Sequence, residues 1–393
     1  MNKIPICLIG PNNYFKGGLT TYTMNLAHLF AQNPIFNPAL IFLNKFVPKK
    51  LFPGRNRNIK DHQLQIPVDV KYFSGLDWYI IPSLVQSLKF VSYLPNKQTF
   101  IVQWWTSSVL HIYLLFISLL KILRPQSKIV LEIHEIFDPL EQRIFFLHLY
   151  VKFVLPLLLK KVDFILFHSP QEALDFSYRF HVDLSKIYFV KHIFPIPDKP
   201  MIFKGKKYHT GVKILFFGLI RDYKGVPLLV EAFNNALHEI EQPLREKSTL
   251  QIVGEIWDQK ELLFSKIKKS DFKLQISLQA EYVPDTEIEH IFSDADLLVL
   301  PYIRGTQSGV LNLGMSYELP IITTNVGGFA DLLSKYEPKL IIEPNNELAL
   351  RNALKLMISN IDRGLLPTPL ENYSYTQNVN KKYMDTIIKI NLG

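Results

Sequence analysis

The sequence predicts an α/β fold of two doubly wound, Rossmann-like halves, and three observations predict it. The first is the stretch Asp296-Leu-Leu-Val-Leu-Pro301, an apolar run closed by a proline. It is followed by the small polar turn Gly305-Thr-Gln-Ser-Gly309, a helical segment to about Tyr317, and a new apolar run opened by Pro320-Ile-Ile-Thr-Thr. Strand, Gly/Ser turn, helix, strand is one parallel βαβ unit, with its turn at the carboxyl end of a strand, where open α/β sheets bind ligands. The second observation is that the same alternation recurs through both halves of the chain. The third is Ile193-Phe-Pro-Ile-Pro-Asp-Lys-Pro200, whose three prolines in eight residues mark a linker. The domains read from this are residues 1–195 and 196–372, with a last helix over 373–393.

Taken in order, Ile4 to Gly10 is a first strand. Pro11-Asn-Asn-Tyr-Phe-Lys-Gly-Gly18 is a loop, and Leu19 to Gln32 a helix. Gly17 and Gly18 let the backbone come close to a ligand, and the helix N-terminus behind them suits a phosphate; a plain β-to-α turn is the other reading. The loop is not GxGxxG, so a dinucleotide is not indicated. Lys45 to Lys60 holds six basic residues and no acid, with Phe46, Leu51 and Phe52 interleaved: either a solvated loop or one that meets an anionic membrane interface. Thr99 to Trp105 and Ser127 to Glu135 are strands, the second ending in His134-Glu135. Val109 to Leu123 and Arg143 to Lys161 are apolar helices, too short or interrupted to span a bilayer, which needs about 20 residues. Asp163 to Ser169 is a further strand, followed by a helix from Pro170.

After the linker, Lys213 to Gly225 is strand and loop and Val226 to Leu237 a helix. Thr249 to Glu255 is a strand, Asp258 to Lys269 a helix, Lys273 to Glu281 extended, and Asp285 to Ser293 a helix leading into the unit described first. Pro367 to Tyr373 is loop and Ser374 to Ile390 the last helix.

A length of 393 residues fits two domains, and 48% hydrophobic residues supply two cores. The single cysteine, Cys7, lies in the first strand and excludes a disulfide within the chain, in keeping with a reducing, cytoplasmic compartment; no signal peptide is read at Met1. The net charge of +9 is uneven: residues 1–195 carry 21 Lys/Arg and 11 Asp/Glu, so +10, and residues 196–393 carry 23 and 24, so −1. No basic-aromatic nucleic-acid module accompanies the excess, so an anionic membrane surface or an anionic acceptor fits it better.

Four segments of the second half carry a resemblance: Gly218-Leu-Ile-Arg-Asp-Tyr-Lys-Gly225, Val253-Gly-Glu255, Ala295-Asp-Leu-Leu-Val-Leu-Pro301 and Pro320-Ile-Ile-Thr-Thr-Asn-Val-Gly-Gly328. In the first half, Gly17-Gly18 followed by Tyr22, and His134 at a strand end, fit the same pattern. The chain thus resembles the bacterial group 1 (family 4) glycosyltransferases of the GT-B fold. That resemblance implies two Rossmann-like domains facing across a cleft and a C-terminal helix returning to the first. It also implies transfer of a sugar, with retention, from a nucleotide-sugar donor to a glycan or lipid-linked acceptor in cell-surface polysaccharide synthesis at the inner face of the membrane. His134, Arg221 and Lys224 are then the expected catalytic residues. Gly17, Gly18, Gly218, Gly254, Glu255, Thr306, Gln307, Ser308 and Gly309 are expected to hold the donor. Arg221 and Lys224 offer a fork and a point charge to a diphosphate, so neither a metal nor another cofactor is expected. The family's spaced glutamate pair falls here at Gly305 and Leu313, and Thr306-Gln-Ser-Gly309 stands in its place. A nucleotide-sugar epimerase or hydrolase, and a catalytically silent binding protein, are the alternatives.

Overall fold

The computed structural model describes residues 3–13, 15, 18–45, 64–77, 81–135, 145–194, 211–305, 308–366 and 372–392. The chain divides into two compact units, Met1–Ile196 with Gln377–Gly393, and Pro197–Thr376. Each is a parallel α/β sheet of the doubly wound kind that the sequence predicts.

In the first unit the strands are β1 (Ile4–Pro11), β2 (Phe36–Lys45), β3 (Lys71–Asp77), β4 (Thr99–Trp104), β5 (Lys128–Ile133), β6 (Phe164–Phe167) and β7 (Ile187–Phe189). They lie side by side in the order β3-β2-β1-β4-β5-β6-β7. The helices are α1 (Gly18–Gln32), α2 (Ile81–Ser92), α3 (Leu110–Leu123), α4 (Phe145–Leu159) and α5 (Pro170–Phe180). Both sheet faces are apolar, which is why the strands read as continuous hydrophobic runs rather than alternating ones. Cys7, Ile9, Phe100, Val102, Ile129 and Leu131 point to one face, under α2 to α5. Ile6, Leu8, Ile101, Val130 and Leu166 point to the other, under α1 and the C-terminal residues Tyr383, Ile387 and Ile390.

In the second unit the strands are β8 (Lys213–Phe217), β9 (Thr249–Val253), β10 (Ile276–Gln279), β11 (Leu297–Leu300), β12 (Ile321–Thr324) and β13 (Lys339–Ile342), ordered β10-β9-β8-β11-β12-β13. The helices are α6 (Val226–His238), α7 (Gln242–Lys247), α8 (Lys260–Lys269), α9 (Asp285–Asp294), α10 (Gly309–Ser316), α11 (Phe329–Leu332) and α12 (Glu347–Asp362); α13 (Asn372–Leu392) follows. In both sheets the chain turns back at the strand it began with, so β1 and β4 flank one switch point and β8 and β11 the other.

The structure adjusts some expectations. Residues 273–281 are not extended throughout: a single tight turn, Lys273–Gln275, precedes a strand of four residues. Helix α8 begins at Lys260 rather than Asp258, because Gln259 is left-handed at φ 57° and the Asp258 carboxylate is drawn to Arg221. The strands β2, β3, β7 and β13 and the helices α2, α7, α11 and α12 were not readable from local pattern. Gly17, Thr306, Gln307 and the basic residues of the 46–60 stretch lie outside the described residues.

Candidate active site

The second unit's crevice forms where β8 and β11 send their following loops to opposite faces of the sheet. Gly218 leaves β8 at φ 115°, and a side chain there would meet Lys224 Nζ at 3.3 Å and Val310 at 3.2 Å. Gly254, at the end of β9, could not carry a Cβ at all: the atom would lie 1.9 Å from the Gly218 carbonyl oxygen. The two loops therefore run backbone against backbone. Lys224 follows in a tight turn, Asp222–Lys224, closed by Gly225 at φ 66°. The residue is 9% exposed, and its ammonium lies 4.8 Å from the centre of the Tyr302 ring. Burial pulls its pKa down, but the neighbouring Tyr302 and Tyr223 more than offset this and hold it above the ordinary lysine value. Lys224 thus keeps its charge in a nearly dry place.

Tyr302 in turn sits 3.2 Å from the Ser308 hydroxyl, and Ser308 caps α10 by accepting from the Leu311 amide. A Cβ at Gly309 would meet nothing within 4 Å, so the first turn of α10 is open in front. A helix N-terminus, a fixed ammonium and two close backbones are the donors an anionic diphosphate needs. Arg221 lies on the same loop, yet its Nε donates to Asp258 at 2.6 Å and its guanidinium rests on Trp257, 5.1 Å from the ring centre. Glu255 contributes its backbone carbonyl, which accepts from the Ile220 amide at 2.9 Å.

The first unit gathers a second polar group at the carboxyl ends of its strands. Gln103 and Glu132 are register partners on β4 and β5, and Leu166 of β6 pairs with Glu132. Two residues on from Glu132 and Leu166, on the same face, come His134 and His168. Both oxygens of the fully buried Glu132 are used: Tyr22 of α1 donates to Oε1, while Gln103 and Tyr383 donate to Oε2 at 2.7 and 2.9 Å. The Gln103 carbonyl meets His134 Nε2. His168 Nδ1 lies 3.0 Å from the Val190 carbonyl, and its Nε2 is 3.4 Å from Glu132 Oε1. His192 packs on the Tyr22 ring at 4.1 Å. Gly18, the first residue of α1, would present a Cβ to open space.

Burial dominates the titration of this group. It pushes Glu132 up to about 7 against the three donors that favour its charge. It pulls His168 down to about 4, and burial and the neighbouring histidines hold His134 and His192 well below the imidazole range. Ligand atoms of Glu132, His134 and His168 come within 4.8 Å of one another. Glu132 accepts from three donors and His134 bonds Gln103, so hydrogen bonds knit the cluster together.

Of the residues expected from sequence, Gly218, Lys224, Ser308 and Gly309 come together at the second crevice, with Gly254 beneath Gly218. Arg221 stands beside them, held by Asp258. His134 and Gly18 belong to the first unit. Sequence reading missed Tyr302, Gln103, Glu132, His168, His192 and Tyr383. The signal available for most of them was a polar residue at the end of an apolar strand, two positions from the last core residue.

Comparison with known proteins bears on this fold directly. Residues 211–360, most of the second unit, match the family model for glycosyl transferases group 1. The whole chain has the two-domain GT-B fold. A glycosyltransferase from Rickettsia africae ESF-5 superposes with a TM-score of 0.66 at 15% identity, over 100% of this chain and 99% of that one. Anabaena HepE, solved with UDP and glucose, gives 0.62 at 12% identity over 98% and 100%. A UDP-forming α,α-trehalose-phosphate synthase from Burkholderia vietnamiensis gives 0.65 at 12% over 100% and 97%. In sequence, the chain is 32% identical over 111 residues to the GDP-mannose:glycolipid 4-beta-D-mannosyltransferase of Xanthomonas campestris pv. campestris. That match spans 28% of this chain and 29% of the relative.

Proposed function

We propose that the protein transfers a hexose from a nucleotide-sugar donor to a glycan or lipid-linked acceptor, as a step in cell-surface polysaccharide synthesis. The observation that carries this is the crevice of the second unit, where a buried ammonium, Lys224, and the open N-terminus of α10 converge. When the bond between the sugar and the nucleoside diphosphate breaks, negative charge grows on the leaving phosphate oxygens. Lys224 is already oriented and nearly desolvated, and the amides beyond Ser308 are already oriented, so they stabilise that charge with little reorganisation. Arg221 strengthens the same field while its bond to Asp258 keeps the loop in shape. With cationic side chains in this role, the reaction runs without a divalent ion. His134 is the residue proposed to serve the sugar or the acceptor.

Two donors are suggested by relatives: GDP-mannose by the printed name of the Xanthomonas protein, and UDP-glucose by the ligands of HepE. The family resemblance favours retention. A second reading has support of its own, since the Xanthomonas protein's name records a β-linked product. Anomeric analysis of the isolated product by NMR decides between the two.

The acceptor is proposed to be membrane-borne, and the protein to work peripherally on an anionic, cytoplasmic membrane face. Support comes from the outer surface of α2, α3 and α4, where Ile81, Ile122, Phe145, Phe146 and Phe153 stand exposed, Phe146 by 80%. Lys152, Lys160 and Lys161 stand exposed on and just beyond α4. Apolar rings among lysines suit an interface of anionic lipid. No helix among the described residues is long and apolar enough to cross a membrane. The test is incubation with labelled GDP-mannose or UDP-glucose and extracted membrane lipids. Label entering the lipid phase supports the reading; an epimerised or hydrolysed donor, or binding without turnover, supports the alternatives.

A further inference from the structure

The hydrogen bonds around Gln103 have a direction that fixes more than they connect. A carboxylate can only accept, so the Gln103 end that faces Glu132 Oε2, 2.7 Å away, must be the NH2 group. The other end is then the carbonyl, and a carbonyl also only accepts. His134 Nε2, which bonds it, must carry the proton. In the neutral ring this leaves Nδ1 as the acceptor nitrogen.

We propose that Glu132 is a positioning residue which acts through Gln103 to hold His134 as the Nε2–H tautomer. The architecture is built for this. Gln103 and Glu132 are register partners on neighbouring parallel strands, and the full burial of both lets neither amide nor carboxylate turn to water. Gly10 on β1 makes room: a Cβ there would meet the Gln103 side chain at 3.2 Å. Tyr22 from α1 and Tyr383 from α13 hold the two carboxylate oxygens from the helix layer. The same logic extends to His168. Its Nδ1 faces the Val190 carbonyl and so carries the proton, which leaves Nε2 bare, 3.4 Å from Glu132 Oε1. The direction of the chain is thus that of the ionised Glu132, the form present above its pKa of about 7. The groups that face the carboxyl are thus Tyr22, Gln103, Tyr383 and His168.

Fixing the tautomer matters because a histidine with the wrong nitrogen protonated offers a donor where the reaction needs an acceptor, and such a reversal can cost orders of magnitude. That consequence for rate rests on the sugar-transfer reading above; the tautomer itself does not.

The test is long-range 1H–15N correlation NMR on 15N-histidine-labelled full-length protein at pH 8, assigned with His134→Gln. We expect wild-type His134 to be neutral with Nε2 protonated and Nδ1 unprotonated. In Glu132→Gln, whose amide can present either end to Gln103, a mixture of tautomers is expected, with kcat lowered about 10- to 100-fold, the scale seen when a partner orienting a functional histidine is lost, and donor KM within about threefold. Adding Glu132→Gln to His134→Gln should bring little further loss. A wild-type ring protonated at Nδ1 overturns the proposal, whether or not the protein transfers sugar. So does a Glu132→Gln variant with an unchanged tautomer. Should that variant fold poorly, Gln103→Leu removes the connecting amide and must also release the tautomer. Absence of any sugar transfer, with the wild-type tautomer as expected, counts against the functional reading alone and leaves the positioning chain standing.

Discussion

The Tyr383 hydroxyl donates to Glu132 Oε2 at 2.9 Å, tying the C-terminal helix to a carboxylate buried 251 residues earlier in the chain. A hydrogen bond to a charged acceptor contributes about 1.5–3 kcal/mol, more than one to a neutral acceptor. Tyr383→Phe should therefore destabilise the protein by about 2 kcal/mol at pH 8, where Glu132 is ionised, and by clearly less at pH 5, where it is protonated. Denaturant titrations at the two pH values check this. An equal loss at both would show that the bond does not sense the charge of Glu132.

Acid should weaken the first unit. The unfolded chain protonates its histidines near 6.5, whereas folded His168 waits until about 4 and His134 and His192 stay well below the usual range. Stability from these three neutral rings is complete above pH 6.5 and is lost as the pH falls through the folded values. Glu132 works in the opposite sense: its folded pKa is raised to about 7, so its contribution is full below the unfolded value and is lost as the pH rises through 7. Between pH 6.5 and 5 the three histidines outweigh the one carboxyl, and the melting temperature should drop. His168→Gln should flatten that slope. A melting temperature that rises on acidification contradicts the burial of these groups.

Much of the second unit was legible because its strands are short apolar runs punctuated by Gly and Pro, as at Val253-Gly254 and Leu300-Pro301. Lys224 could be read as a candidate because the segment Gly218-Leu-Ile-Arg-Asp-Tyr-Lys-Gly225 resembles that of the group 1 glycosyltransferases and puts two cations on one loop. The first unit hid more. In β2, Asn37 and Pro38 interrupt the apolar pattern, and Pro38 is tolerated in a strand whose neighbours are β1 and β3. The polar cluster could not be found by spacing at all. Gln103, Glu132 and His168 are some 30 residues apart, and only the register of β4, β5 and β6 brings them side by side. Tyr383 is farther still, and its partner is set by the packing of α13, which local sequence does not encode.

Lys224→Ala should lower kcat/KM about 100-fold, the size expected when one oriented charge stabiliser is removed. Arg221→Ala should cost at least as much as Asp258→Ala, since it loses both its own charge and the ion pair that shapes the loop. Steady-state kinetics with the best donor check both. Near wild-type rates in Lys224→Ala would remove this residue from the leaving-group site.

Liposome sedimentation tests the membrane face. The protein should pellet with anionic vesicles at low salt and far less with neutral ones. Replacing Phe145, Phe146 and Phe153 with Ser should weaken binding that survives high salt, and replacing Lys152, Lys160 and Lys161 should weaken the salt-sensitive part. Retention of full binding by both variants would mean that another surface meets the membrane.

The central claim, that the crevice of the second unit holds a nucleoside diphosphate sugar for transfer, is tested most directly by thermal shift and turnover across a donor panel in EDTA. GDP- and UDP-linked hexoses are the first to try. The account predicts that one nucleotide diphosphate stabilises the wild type in proportion to RT ln(1 + [L]/Kd). It further predicts that Lys224→Ala loses most of that shift, and that the matching sugar nucleotide is turned over without added metal. Stabilisation by no nucleotide, or an equal shift in wild type and Lys224→Ala, would contradict it.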